Sequence, residues 1–513
     1  MNTSGVWMLF WGGFAACAGL WCRLSGRVPC RGWVRPGGHA RVFDDNLAGV
    51  GMRQSFGRRR SVVFMVMAAV AVLGCVLPAG SAAEPRAKNV IIMIADGCGY
   101  NHVDAASLYE YGRTGMQVYE GFPVRLGMST FNHKGGYDPD KTWAKFSHAS
   151  KSGATDSAAA ATAMSSGVKS YNEAIGVNPD KVPVKHAIAY AEECGKSTGV
   201  ITSVQFSHAT PAGFCVHDAN RSNYDAIARR MIYESPLEVI MGCGHPEYGN
   251  DGKRAAKKDY QYVGGKKAWA DLKDGTVMGA DADGDGSKDP WTVIQDAADI
   301  RALMQGPAPA RVIAIAKKRS TLQQKRSGNG KARAFEVPFN GDVPTLAEMA
   351  TAAINVLDDD PDGFFLMIEG GAVDWASHDN QAGRLIEEQI DFNEAMTRVV
   401  QWVTENSSWQ QTLLIVTSDH ECGYLTGPDS GEKDSGPVWN PIVNNGPGKD
   451  PAVEWHSTSH TNSLVPFYCR GAGSDLFDRF ADKTDPVRGR YMDNTCIFRG
   501  VMAAMGAPRP DPE

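Results

Sequence analysis

Val90-Ile91-Ile92-Met93-Ile94 runs without a polar residue into Ala95-Asp96-Gly97. An unbroken apolar run of this length, closed by turn residues, fits a strand buried on both faces. Runs of the same build cover 199–203, 364–368 and 412–416. Helical stretches alternate with them over 156–166, 184–194, 346–357 and 384–404. Strand–helix alternation predicts an α/β fold: a three-layer sandwich with a mostly parallel central sheet and helices on both faces.

The residues at the strand exits carry the next inference. The first run leaves at Asp96, the third at Glu369 and the fourth at Asp419-His420. Ligands of open α/β sheets bind beyond the carboxyl ends of the strands. Carboxylates collected there need cations to neutralise them. Capping of the following helix accounts for one such aspartate. It does not account for Glu369, or for a histidine directly after Asp419.

Two local patterns add chemistry. Asp374 and His378 stand four apart, on one face if the segment is helical, and such oxygen and nitrogen ligands suit zinc. Asp156-Ser157 opens an alanine-rich stretch through Ala161, a strong helix former. A helix N-terminus stabilises negative charge, on a serine alkoxide or on a phosphoryl group. Taken alone, the segment favours a plain helix cap by Asp156 or Ser157.

Five separated motifs occur together: Ile94-Ala-Asp96-Gly97; Thr155-Asp156-Ser157-Ala158 with Ala161-Thr-Ala163; His208-Ala-Thr210-Pro211 running to Arg221; Glu369-Gly-Gly-Ala-Val-Asp374 with His378; and Thr417-Ser-Asp419-His420-Glu421 followed by His460-Thr461. In this order the chain resembles the bacterial-type, zinc- and magnesium-dependent alkaline phosphatase family, from about residue 88 to 506. The resemblance implies hydrolysis of small phosphate monoesters through a phosphoserine on Ser157. It also implies three metal ions: a zinc on Asp374, His378 and His460; a second zinc on Asp96, Asp419, His420 and Ser157; and a magnesium on Asp96, Thr210 and Glu369. Arg221 would clamp the phosphate, with Asp156 orienting it, and a homodimer is the implied assembly.

Family members differ at two positions. His208 stands where some relatives have aspartate, and Trp375 where others have lysine or histidine. This predicts weaker magnesium retention, competition by zinc and faster product release; ordinary packing around an unchanged site is the competing reading. A sulfatase is excluded because Ser157 is followed by four alanines, not by the Pro-containing motif that sulfatases modify. A related phosphodiesterase and an inactive metal- or phosphate-binding homologue are the remaining alternatives.

Composition agrees with a globular chain: 513 residues, 43% hydrophobic and 21% charged. A net charge of −6 gives no sign of a nucleic-acid partner. Between about 244 and 335 the texture turns polar and rich in lysine and glycine, which predicts a surface insertion between two strands. Inside it, Asp281, Asp283, Asp285 and Gly286 match the start of a calcium loop, but Thr292 occupies the twelfth position, so a solvated acidic turn is favoured.

Arg53–Arg60 is cationic, 61–77 apolar, and Pro78 to Ala83 rich in small residues, the build of a secretory signal. We expect 1–51 to be an upstream extension, 52–83 the signal, and 84–513 one domain exported to the periplasm or beyond. Contact with a membrane would require lipidation of Cys75. Seven cysteines follow residue 83 without a CxxC pair, which argues against a zinc ribbon or dense disulfide framework.

Overall fold

The computed structural model describes residues 87–508, apart from 152, 280 and 282–284. The expected extension, signal segment and Cys75, and Asp283 of the acidic turn, lie outside the described residues. Eleven strands among them form one sheet. In chain order they are β1 (Asn89–Ala95), β2 (Val124–Ser129), β3 (Ser197–Gln205), β4 (Val239–Cys243), β5 (Thr292–Ile294), β6 (Val312–Ile315), β7 (Phe364–Gly370), β8 (Thr412–Thr417), β9 (Val465–Gly471), β10 (Lys483–Asp485) and β11 (Gly489–Asp493). Across the sheet they run β10-β11-β2-β9-β8-β1-β7-β3-β4-β6-β5. β9 is antiparallel to both its neighbours and β10 to β11; the other pairings are parallel.

β1 sits between β7 and β8, with Val90 opposite Phe365 and Leu413. Side chains alternate across a strand, and both faces of β1 are covered. Val90, Ile92 and Ile94 enter one apolar cluster, whereas Ile91, Met93 and Ala95 enter the other. The covering helices, in chain order, are α1 (Tyr100–Tyr111), α2 (Ser157–Ser166), α3 (Ala187–Glu193), α4 (Ala209–Cys215), α5 (Tyr224–Tyr233), α6 (Leu346–Leu357), α7 (Ala372–His378), α8 (Ala382–Asn406) and α9 (Thr495–Met505). α2 to α5 and α9 pack on the first face. α1 and α6 to α8 pack on the second. The three-layer α/β sandwich predicted from the strand–helix alternation is the observed architecture.

The stretch 244–335 departs from its expected form as a surface insertion. It contributes β5 and β6, which extend the sheet in parallel beyond β4. All four residues of β6 are buried. The polar average of the stretch hides these two short runs. Its acidic turn folds back on itself, Asp281 Oδ2 accepting from the Gly286 amide at 2.9 Å.

α2 is built of small residues and all ten are buried. Asp156 caps it, Oδ1 accepting from the Ala159 amide at 3.0 Å, and Gly167 ends it at φ 74°. A Cβ placed on Gly213 of α4 would lie 2.7 Å from that of Ala161. Only glycine allows the two helices to approach so closely. No described helix is long and apolar enough to cross a membrane. The described cysteines are all free thiols, and six of the seven are buried.

Candidate active site

The carboxyl ends of β1, β7 and β8 deliver the residues that the motifs singled out. Asp96 follows β1 directly, and Gly97 turns the chain at φ 75°. A side chain at Gly97 would meet the Asp374 backbone at 2.7 Å, so the first strand exit and α7 touch only because it has none. The Gly97 amide donates to Asp419 Oδ1 at 3.0 Å. Glu369, the last residue but one of β7, accepts from the Thr202 hydroxyl. Asp374 and His378 occupy α7 as the spacing predicted. Asp419 and His420 follow β8, and His460 comes in on a short strand paired with Glu421-Cys422.

Hydrogen bonds fix the tautomers of two histidines. His378 Nδ1 faces the Thr458 carbonyl at 2.7 Å and His460 Nδ1 the Thr155 carbonyl at 3.0 Å. A carbonyl only accepts, so each Nδ1 carries the proton and each Nε2 lone pair turns inward. The two Nε2 atoms are 3.0 Å apart, and each is 3.4 Å from an Asp374 oxygen. Such an array demands a positive charge at its centre. His460 shows the same demand: burial alone would lower its pKa, but Asp374 outweighs burial and raises it to about 9. For Asp374, burial would raise the pKa, but its bond to His460 holds it below the usual range.

Around the second centre, His420 Nε2 lies 3.2 Å from Asp419 Oδ2 and 3.6 Å from Asp96 Oδ1. Asp96 is wholly buried and neither of its oxygens accepts a hydrogen bond. Burial, then Asp419, Asp374 and Glu369, push its pKa well up. Burial likewise raises Glu369 to about 7 and Asp419 to about 6. Buried anions without donors are costly unless paired or bound to metal. Among the described residues three groupings could hold ions: Asp374, His378, Cys422 and His460; Asp96, Asp374 and His420; and Asp96, His208 and Glu369. Thr210 is fully buried in the first turn of α4, two residues beyond His208.

Ser157 opens α2 with its Oγ 3.3 Å from His420 Nε2. Arg221 donates through Nη1 to Asp156 Oδ2 at 3.0 Å and through Nη2 to His208 Nε2 at 3.4 Å. Burial and the Arg221 charge lower the His208 pKa to about 3, so its ring is neutral. Trp375 meets His208 edge to face, with centroids 5.7 Å apart. An open cavity of about 360 Å³ is shared by Ser157, Arg221, Asp374, Trp375, His378 and His460. Cys422 and Lys325 also belong to this neighbourhood. Cys422 stands directly after the last residue of a quoted motif, Glu421, but in the sequence it is only one of the scattered cysteines; Lys325 had no signal among the many lysines of its stretch.

The alkaline phosphatase family model matches residues 87–445, and the chain belongs to that family. It is 29% identical over 356 residues to alkaline phosphatase 3 of Bacillus subtilis, covering 67% of this chain and 64% of that one. It thus spans less than two thirds of that Bacillus protein. With the alkaline phosphatase of Escherichia coli K12 the identity is 26% over 453 residues, 83% of this chain and 88% of the other. The solved alkaline phosphatase of the Antarctic bacterium TAB5 has a TM-score of 0.57 at 24% identity, covering 83% of this chain and all of that one, which shows a common fold. A histidine-to-aspartate variant of that protein has magnesium bound in its M3 site.

Proposed function

We propose that the chain hydrolyses small phosphate monoesters to alcohol and inorganic phosphate through a phosphoserine on Ser157. The observation that carries this reading is that Ser157 Oγ, Arg221 and the inward-facing nitrogens of His378 and His460 border one cavity. Family membership supports it.

The donor sets fit the implied ions: lone pairs converge, and Asp96 has no protein donor. Asp374, His378 and His460 would hold one zinc, Asp96, Asp419, His420 and Ser157 a second, and Asp96, Thr210 and Glu369 a magnesium. Bound there, the ions would supply the positive charge that acidifies the Ser157 hydroxyl, stabilises the departing oxygen and polarises water.

The chain's own groups do the rest. The N-terminal end of α2 favours negative charge beside Ser157. Arg221 offers a planar fork to two phosphoryl oxygens, and Asp156 and His208 fix its orientation. In-line transfer to Ser157 directs the leaving oxygen toward Asp374, His378 and His460. His208 stands in the third grouping as a neutral ring that brings no anion to it, which supports weak magnesium retention; zinc there would compete with Arg221 for the ring's single lone pair.

Purified protein should contain zinc and magnesium and should hydrolyse 4-nitrophenyl phosphate. Ser157→Ala should keep its metals, lose acid-trapped phosphoprotein and lose about a thousandfold in kcat. Label trapped on another residue sinks the assignment. Export and a homodimer belong to the same reading; N-terminal sequencing of protein from its host and sedimentation would test them.

A further inference from the structure

Lys325 lines the cavity beside Trp375, His378 and Asp379, although it comes from the lysine-rich stretch expected to form a surface insertion between two strands. Its backbone is pinned on both sides. The Leu322 amide donates to the Ser203 carbonyl at 3.0 Å. Arg326 forms a buried ion pair with Glu387 at 2.8 Å. Between these anchors the Lys325 side chain points out, and its ammonium meets Asp379 Oδ2 at 2.7 Å. It lies 5.7 Å from the Trp375 ring centroid.

The partners of the two cavity cations differ. Arg221 and Asp156 are 17% and 14% exposed, whereas Lys325 and Asp379 are 37% and 41% exposed. The second pair is therefore screened by water and weak, so an incoming anion can replace Asp379 at little cost. Asp379 directly follows His378, and Trp375 follows Asp374. Lys325 thus flanks the side toward which in-line transfer sends the alcohol.

We propose that Lys325 is a specificity-determining residue that binds a second negative charge, a carboxylate or another phosphate, on the alcohol part of the ester. This rests on the phosphomonoesterase reading above. Trp375 brings no charge of its own to the same wall, so the discrimination falls to Lys325.

The test compares 3-carboxyphenyl phosphate with its uncharged analogue, 3-carbamoylphenyl phosphate, on the metal-loaded protein. In Lys325→Ala the ratio of kcat/KM values, charged over uncharged, should fall about fivefold, as loss of one exposed ion pair implies. Lys325→Arg should hold the ratio, and Asp379→Asn should raise it by freeing the lysine. Added salt should lower the ratio in the wild type and leave it flat in Lys325→Ala. Equal losses on both esters, or an unchanged ratio in a variant with wild-type metal content, would overturn the proposal and leave the phosphatase reading standing. A wild-type protein that cleaves neither ester ends both.

Discussion

At Asp156 the two carboxylate oxygens are committed separately. Oδ1 caps α2 through the Ala159 amide, while Oδ2 accepts from Arg221 and from the Glu173 amide. Asp156→Asn keeps a cap acceptor but removes the charge that holds the guanidinium. It should leave thermal stability near wild type and raise KM for an aryl phosphate about tenfold, the order of one charged hydrogen bond. Asp156→Ala loses the cap as well, about a further 1 kcal/mol of stability, so melting curves and kinetics separate the two roles. At the third grouping, His208→Asp should tighten magnesium binding about tenfold by restoring an anion near Asp96 and Glu369; titration calorimetry checks this, and unchanged affinity sinks it. Much of this site was legible beforehand, since Asp96, Glu369, Asp374 and His420 stand at strand ends or at helical spacing. Lys325 was not. It reaches the cavity through tertiary anchors, such as Arg326 on Glu387, that leave no local pattern.

At the scale of single elements, α2 depends on its fit against α4. Gly213→Ala should place a methyl group against Ala161 where there is no room. Overpacking of this kind costs about 1–3 kcal/mol, and the displaced helix start should lower kcat more than it changes KM. Scanning calorimetry with steady-state kinetics reads both, and an unchanged melting temperature would show that the helices can part freely. The same scale explains which strands could be foreseen. β1, β3, β7 and β8 are all buried; β1, β7 and β8 appear as unbroken apolar runs, whereas β3 is interrupted by Thr202 and Ser203. β5 has three residues and only one is buried, while β10 has two exposed residues of three. Pairing at a sheet edge, not composition, makes β5 and β10 strands, whereas β6 is apolar and buried throughout but its four residues were lost in the polar average of their stretch.

The molecule as a whole also buries an ionisable group outside the residues that line the cavity. Glu388 on α8 is buried, and burial, then Asp391 and Glu387, raise its pKa to about 8, against the pull of Arg326 and Arg384. The folded chain therefore holds a proton that the unfolded chain releases at the ordinary value of 4.5. This contribution to stability is present below about pH 4.5 and is lost as the pH rises through about 8. Glu388→Gln cannot ionise, so its melting temperature should fall less than that of the wild type between pH 5 and 8.5. Parallel curves for the two proteins would show that Glu388 does not titrate in this range.

The position of β1 has a consequence for the order of assembly. As the ribosome releases the chain, the central strand appears first, yet its partners begin at Phe364 and Thr412. Contacts of such sequence separation form slowly, because a long loop must close before any of them is rewarded. Half-made chains thus carry an apolar ribbon with no neighbour on either side. A fragment ending before residue 412 leaves β1 with one open edge, which makes it a target for chaperones or a seed for aggregation.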